Sequence, residues 1–241
     1  MIMRYLDLTL PDAADNLALD EALLDEAEAA DRPMETLRLW EPAQTIVVVG
    51  RSSRVCDEVH IDVCRQQGVP VLRRSSGGAA IVTGPGCLMY ALVLSYQARP
   101  ALRAIDRAHR FVLDTIATAL RPLATGVACR GISDLAVGNL KFSGNSVRCK
   151  QNCLLYHGTL LYDFPLELVD RYLAMPARQP DYRGGRPHPA FVANLRLPVQ
   201  SLRAALVNAW KATEAYGPWP RERVAQLASE RYGQREWNER I

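Results

Sequence analysis

Residues 3–8 (MRYLDL) alternate between apolar and polar, the period of a half-buried strand. From 16 to 30 the period lengthens. Leu17, Leu19, Leu23 and Leu24 give a helix one apolar face, and Asp15 stands where an N-cap would. Strands follow at 37–40 and 45–49, parted by a turn at Pro42. Val47, Val48 and Val49 form an unbroken β-branched run, suited to a strand covered on both faces. A short helix over 57–67 is closed by Gly68. A strand over 69–73, a loop over 75–78 and a strand over 79–82 lead to the turn Gly84-Pro85-Gly86 and a strand over 88–96.

The spacing then predicts a long amphipathic helix over 101–120, ending before Pro122. A hairpin pairs 134–137 with 140–146 around Gly138-Asn139. A strand over 153–162 and a helix over 166–173 precede a Pro-, Gly- and Arg-rich loop at 176–190. Helices over 202–216 and 220–235 close the chain. Two-residue hairpins require antiparallel pairing, and strict strand–helix–strand alternation is missing. The pattern therefore predicts an α+β (mixed α/β) domain over 1–200, a mixed, largely antiparallel sheet flanked by helices, with a short helical extension over 201–241.

Composition narrows the classes. The chain has 241 residues, 49% of them apolar and 23% charged, a globular balance that needs no disulfide or metal staple. Its longest apolar run, 87–94, holds 8 residues, whereas a membrane-spanning helix needs about 20. The first residues lack the basic and apolar regions of a secretion signal, and acidic residues begin at Asp7. A net charge of +3 leaves no nucleic-acid footprint. Cys56, Cys64, Cys87, Cys129, Cys149 and Cys153 read as reduced thiols of a cytoplasmic protein. Cys149 and Cys153 lack the second ligand pair of a zinc site, so no protein-bound metal is predicted. Lysine is scarce: Lys141, Lys150 and Lys211 stand among 29 basic residues. A Lys retained inside a motif against that arginine bias points to chemistry.

Three segments are candidates for chemistry. In Arg73-Arg74-Ser75-Ser76-Gly77-Gly78-Ala79-Ala80, glycines allow close backbone approach, successive N–H groups can cradle an anion, and the arginines offer planar forks. A tight turn with solvated arginines is the simpler reading. In Ser133-Asp134-Leu135-Ala136-Val137-Gly138-Asn139-Leu140-Lys141-Phe142-Ser143-Gly144, Lys141 can hold a carbonyl or phosphate oxygen, or sit exposed on its strand. In Tyr156-His157-Gly158-Thr159, His157 is an acid–base candidate or a satisfied strand residue. No Ser-His-Asp spacing distinguishes a hydrolase.

Taken in order, these segments resemble the lipoate–protein ligase family, which belongs with the biotin-ligase-like catalytic domains. The family's Arg-Arg-x-Ser-Gly-Gly-Gly-Ala loop corresponds to Arg73–Ala80, its Asn-Asp-Leu-Val-Val…Lys-x-Ser-Gly-Ser hairpin to Ser133–Ser146, and its His-His-Gly-Thr-Leu-Leu strand to Tyr156–Leu161. Asn16-Leu17-Ala18-Leu19-Asp20-Glu21 is similar to its first helix, and Val192-Ala193-Asn194-Leu195 to its closing motif. The resemblance implies ATP-dependent activation of lipoate or octanoate to an acyl-adenylate, with Mg²⁺ arriving on the nucleotide. Transfer to a lysine of a lipoyl-domain protein follows, either a 2-oxoacid dehydrogenase E2 or a glycine-cleavage H-type protein. It places Arg73, Arg74, Ser76, Gly77 and Gly78 around adenylate and acyl group, and Lys141 on the carbonyl and phosphate oxygens. Ala79, Ala80, Ser143 and Gly144 become pocket walls, with His157, Gly158 and Thr159 on the facing strand. Thr83 and Cys87 fall where the family usually has His and Asn, Ala79 replaces a third glycine, and Ser133 replaces an Asn. Residues 199–241 are too few for the C-terminal domain of the longer ligases, so a separate accessory chain is an open partner.

Two rival readings remain. Cys129-Arg130-Gly131-Ile132-Ser133-Asp134-Leu135 is similar to the pattern of transferases that pass octanoyl or lipoyl groups between carrier proteins through a cysteine, without ATP. Arg130 beside Cys129 would lower the thiol pKa. The other reading is an acyl-binding module that kept the fold alone. Finally, Arg178–Arg186, with Gly184-Gly185 and a Pro on both sides, is a candidate lid that would exclude water from a reactive intermediate.

Overall fold

In the computed structural model, which describes residues 2–240, the chain begins with β1 (Arg4–Asp7), α1 (Ala13–Ala29), β2 (Thr36–Trp40) and β3 (Ile46–Val49). It continues through α2 (Val55–Glu58), α3 (Ile61–Gln66), β4 (Val71–Arg73), β5 (Ile81–Thr83), β6 (Cys87–Ser95) and α4 (Ile105–Leu120). The strands β7 (Val127–Arg130), β8 (Asp134–Val137), β9 (Leu140–Cys149) and β10 (Cys153–Leu161) follow, then α5 (Glu167–Tyr172), α6 (Val199–Trp210), β11 (Glu214–Ala215), α7 (Arg221–Leu227) and α8 (Arg235–Asn238).

One sheet has eight strands in the order β11-β1-β2-β6-β10-β9-β8-β7. Its pairs are antiparallel from β2 onward, whereas β1 pairs parallel with both β11 and β2. A second sheet has three strands, β4-β3-β5, with β3 parallel to β4 and antiparallel to β5. The predicted mixed α/β class, with a largely antiparallel sheet and flanking helices, is what the chain adopts.

β6 organises the packing. Every residue of it is buried, which accounts for a continuous apolar run rather than an alternating one. Met89, Ala91 and Val93 point into a core shared with α1 and the small sheet. Leu88, Tyr90, Leu92 and Leu94 point the other way, into a core shared with α4 and α6. Period-2 alternation on a doubly covered strand thus builds two cores. The chain beyond Pro198 takes part in both. Leu202, Leu206 and Trp210 of α6 complete the second core, and Val224, Leu227 and Tyr232 complete the first.

Several boundaries differ from the pattern reading, each for a local reason. The N-cap of α1 is Asp12, not Asp15, its carboxylate accepting from the Ala14 N–H at 2.8 Å. The helix over 57–67 is two short helices, because Val59 leaves the helix to bridge Leu173 and the His60 N–H donates to the Tyr172 carbonyl. The helix over 101–120 opens with a separate 3-10 turn at Pro100–Arg103. The helix over 202–216 starts at Val199 and ends at Trp210, where Lys211 is left-handed (φ 50°), freeing Glu214–Ala215 to pair with β1. The last predicted helix passes into a π turn at Ala228–Tyr232. β7 was outside the predicted strands; too short for a pattern, it is held by pairing with β8. No helix among the described residues is long and apolar enough to cross a membrane.

Candidate functional site

The small sheet and the α1 face of the large sheet meet over a cavity of about 630 Å³, walled by the loop after β4, the hairpin β8–β9, β10 and the 176–190 loop. The loop after β4 is shaped by Arg74. Its buried guanidinium donates to the carbonyls of Val48 (3.1 Å), Gly77 and Ala79 (3.0 Å) and to Ser76 Oγ (3.2 Å). Burial, opposed by the Glu58 charge, pushes its pKa down to about 10. Arg74 therefore lines the cavity as a fixed cation tied to its own loop. Gly78 needs its positive φ (88°), and Gly50 lies so close beneath it that a Cβ there would stand 1.9 Å from the Gly78 carbonyl oxygen. The Ala80 N–H donates to Glu58 Oε2 at 2.5 Å, closing the loop's far end.

His157 stands on β10 opposite this loop. Its Nδ1 faces Asp20 Oδ2 at 3.4 Å and its Nε2 lies 2.5 Å from Ser76 Oγ. The carboxylate places the ring proton on Nδ1, so Nε2 accepts the Ser76 hydroxyl. Asp20 is itself anchored by Arg38, whose Nη1 donates to Oδ1 at 2.6 Å. A buried relay thus runs from Arg38 through Asp20 and His157 to Ser76. The geometry brings Ser, His and Asp together although no sequence spacing announced it. Ser76 is 1% exposed and accepts from Arg74, so its hydroxyl organises the loop rather than facing the cavity.

Lys141 projects from β9 between the large cavity and a smaller one of about 120 Å³, and lines both. The smaller chamber is mostly apolar, walled by Val82, Leu161, Val169, Leu173, Phe191 and Val192, with Glu58, Arg183 and His188 also on its lining. The Lys141 Nζ lies 2.7 Å from Asp134 Oδ1. Asp134 Oδ2 accepts from the Tyr182 hydroxyl at 2.8 Å, so one carboxylate joins the lysine to the 176–190 loop. Burial and the Asp134 charge push the Tyr182 pKa well up, keeping that hydroxyl a donor. Backbone bonds fix Lys141 itself: its N–H donates to the Phe191 carbonyl at 2.8 Å and its carbonyl accepts from the Ala193 N–H at 2.9 Å.

Gly144 makes room for that side chain, since a Cβ on it would stand 3.1 Å from both Lys141 Cε and Nζ. Gly144→Ala is expected to displace the ammonium by a few tenths of an ångström. Turnover should fall on the order of tenfold with little change in Tm, because misplacing a charged group costs rate before it costs stability. A variant with wild-type turnover would remove Gly144 from this role.

The remaining candidates divide. Ala79, Ala80, Gly158 and Thr159 line the large cavity, and Ser143 lines the smaller one. Gly158 is obligatory, because a Cβ would meet Asn145 Oδ1 at 1.8 Å. Thr159 Oγ1 accepts from the Gly144 N–H at 3.3 Å. The Gly77 carbonyl accepts from Ser146 Oγ at 2.8 Å, tying loop to hairpin. Seven of the predicted residues, Arg73, Ser76, Gly77, Gly78, Thr83, Cys87 and Cys129, lie on neither cavity wall. Arg73 turns away from the cavity, fully buried against the C-terminal residues, because neighbouring strand residues point to opposite faces. Thr83 is buried with its hydroxyl on Met89 Sδ at 3.2 Å. Cys87 is buried at the start of β6, its thiol pushed up to about 12 by burial. Cys129 lies on neither cavity wall; its thiol donates to Asp114 Oδ1 at 3.3 Å, and burial with that carboxylate pushes its pKa up to about 11. Asp20 and Asn145 were missed as site residues. The Asp20 signal was a pair of acids, Asp20 and Glu21, set among the leucines of α1, where the whole stretch 16–24 is buried.

The comparisons with known proteins fit this geometry. A family model described as the lipoyl protein ligase A/B catalytic domain matches residues 12–211. A lipoate-protein ligase A homologue of Aeropyrum pernix is 35% identical over 146 residues, covering 61% of this chain and 52% of the relative. The chain spans about half the length of the curated relatives first matched. Among solved structures, the bipartite lipoate protein ligase of Thermoplasma acidophilum, studied with its E2 lipoyl domain, superposes with a TM-score of 0.84 at 21% identity, covering 99% of this chain and 96% of that one. A lipoate-protein ligase A bound with ATP superposes with a TM-score of 0.80 at 21% identity, covering 99% of each chain.

Proposed function

Because this chain belongs to the lipoyl protein ligase A/B catalytic-domain family, we propose that it activates lipoate or octanoate with ATP and transfers the acyl group to a lysine of a lipoyl-domain protein. The observation that carries the reading is Lys141, an ammonium that lines both a large cavity and a smaller, mostly apolar chamber. A medium-chain acid needs both: an apolar wall for its chain and a cation for its reacting end.

In the first step the acid's carboxylate oxygen attacks the α-phosphorus of ATP, and pyrophosphate leaves with the electron pair of the broken P–O bond. In the second, the acceptor amine attacks the acyl carbonyl, AMP leaves, and the amine loses its proton. Negative charge builds first on phosphate oxygens and then on the carbonyl oxygen, so a fixed cation and aimed N–H donors serve both. Lys141 supplies the cation. Its bond to Asp134 keeps it where the cavities meet, and an arriving phosphate or carboxylate competes for the same ammonium. Arg74 supplies the positively charged wall, with Ala79 and Ala80 beside it. Mg²⁺ is taken to come with the triphosphate, held by phosphate oxygens and water as magnesium ordinarily is. Asp134 is the carboxylate beside Lys141 that would face it.

The same reading assigns the chemistry to residues 1–200 and support of the fold to 201–241. It makes the 176–190 loop a lid fastened through Tyr182 to Asp134. It takes an E2 or H-type protein as acceptor in the cytoplasm, and allows an accessory chain for the activation step.

The test is to incubate the protein with an apo lipoyl domain, Mg-ATP and lipoate or octanoate, and to read the acceptor's intact mass. A parallel mixture offers octanoyl-carrier protein without ATP. ATP-dependent acylation is expected. Acylation only from the carrier would replace the ligase reading with a transferase, and none in either, even with homologous accessory domain added, would leave an acyl-binding module. The transferase reading needs Cys129 as thiolate, and its environment opposes that form. Cys129→Ser is therefore expected to keep wild-type ligation, and Cys129 to resist iodoacetamide at pH 7.5, far below its raised pKa of about 11. Loss of acylation in Cys129→Ser at unchanged Tm would reverse this assignment.

A further inference from the structure

Arg73 belongs to the most conspicuous motif of the sequence, yet its guanidinium faces away from the cavity. Its Nη1 donates to the carbonyls of Gly50 and Ser53, both at 2.7 Å. Its Nε donates to the Trp237 carbonyl at 2.9 Å, and its Nη2 to the carbonyls of Asn238 (3.2 Å) and Arg240. The strand backbone repeats the link. The Arg73 N–H donates to Asn238 Oδ1 at 2.9 Å, and Trp237 Nε1 donates to the Arg73 carbonyl at 2.8 Å. Arg240 lies over the Trp237 ring at 3.8 Å and donates to the Arg51 carbonyl at 2.9 Å.

The segment 235–240 therefore grips two pieces of chain at once: β4 and the turn at 50–53. That turn in turn grips the site loop. The Arg51 N–H donates to the Ser76 carbonyl at 2.8 Å, and Ser53 Oγ donates to the Gly78 carbonyl at 3.1 Å. The contact is tight, as the 1.9 Å clearance for a Cβ at Gly50 requires. Every step from the C-terminal segment to Ser76 and Gly78 is a hydrogen bond or a backbone contact.

We propose that residues 235–240 form a strap that sets the position of the Ser76–Gly78 loop through Arg73 and the 50–53 turn, with Arg73 and Asn238 as positioning residues for nucleotide binding. The nucleotide part rests on the ligase reading; the mechanical part does not. The same loop carries Arg74, Ala79 and Ala80 onto the large cavity, so on the ligase reading loosening the strap weakens nucleotide binding and leaves the lysine chemistry in place.

The experiment compares wild type, Asn238→Ala and Asn238→Asp. Alanine removes the acceptor for the Arg73 N–H; aspartate keeps an oxygen there. Amide hydrogen exchange read by mass spectrometry is expected to speed up at 50–53 and 76–80 in Asn238→Ala, with α4 unchanged, and to return toward wild type in Asn238→Asp. Pyrophosphate release should show KM for ATP raised on the order of tenfold with kcat little changed. Unchanged exchange at 76–80 in a folded Asn238→Ala overturns the strap. Faster exchange there with unchanged KM overturns its link to nucleotide. If wild type releases no pyrophosphate even with a homologous accessory domain added, the ligase reading fails while the exchange result still decides the strap. Should Asn238→Ala not fold, Trp237→Phe, which removes one donor to the Arg73 carbonyl, carries the same comparison.

Discussion

Lys141→Ala is expected to slow pyrophosphate release by a factor of about 10²–10³, the usual cost of removing one preorganised charge from a developing oxyanion. The prediction follows from placement. The ammonium lines both cavities, its backbone is bonded on both sides to the Phe191–Ala193 segment, and a glycine is kept beneath it. Lys141→Arg should recover little. A planar guanidinium is wider than an ammonium, and the lysine tip already lies so near Gly144 that a Cβ there would stand 3.1 Å from it. Single-turnover rates of adenylate formation measured with each variant would check this. A Lys141→Ala enzyme within about tenfold of wild type would mean that Arg74 and the loop amides suffice.

The largest expected stability loss lies behind the site, at Arg38. This guanidinium is fully buried and donates to the Leu8 carbonyl, the Asn16 carbonyl (2.7 Å), Asn16 Oδ1 (2.6 Å) and Asp20 Oδ1 (2.6 Å), while stacking 5.0 Å over Trp40. Arg38→Met keeps volume but strands those acceptors and leaves the Asp20 carboxylate buried without its partner. A loss of about 3–5 kcal/mol is expected, the range for breaking one side of a buried ion pair. Urea unfolding at constant m-value would measure it. Adding Asp20→Leu should restore part of the loss, because removing both charges ends the desolvation penalty of the survivor. A single variant that loses less than about 1 kcal/mol would show that water replaces the guanidinium. Asp20 also faces the His157 ring, so the core pair and the cavity wall are one network.

The fold class was legible in the sequence because period and punctuation act locally. The run at Cys87–Leu94, the hairpin at Gly138-Asn139 and the leucines of α1 each declare an element without knowledge of the rest. Pairing with distant chain was not legible. β11 exists because Lys211 turns the chain back onto β1, and β7 because β8 is beside it. Two residues carry no period of their own, and Val127-Ala128-Cys129-Arg130 does not alternate.

The site divides along the same line. Lys141 and Arg74 stood out as chemistry held in local motifs, and they meet at one cavity, whereas the Gly77-Gly78 turn lies behind Arg74, which donates to the Gly77 carbonyl. Arg73 and Arg74 are indistinguishable as letters. Only the docking of β4 between the site loop and the C-terminal strap sends one guanidinium to the cavity and the other to the carbonyls of Trp237 and Asn238. Asp20 likewise reads as one more acid on a helix until α1 is laid against β10 and the carboxylate meets His157 and Arg38. What the residues themselves determined were elements and a few groups whose chemistry is fixed by neighbours within a turn or a hairpin. What tertiary structure decided was which face of each element looks into the cavity. That choice depends on burial against residues more than a hundred positions away, and no local spacing encodes it.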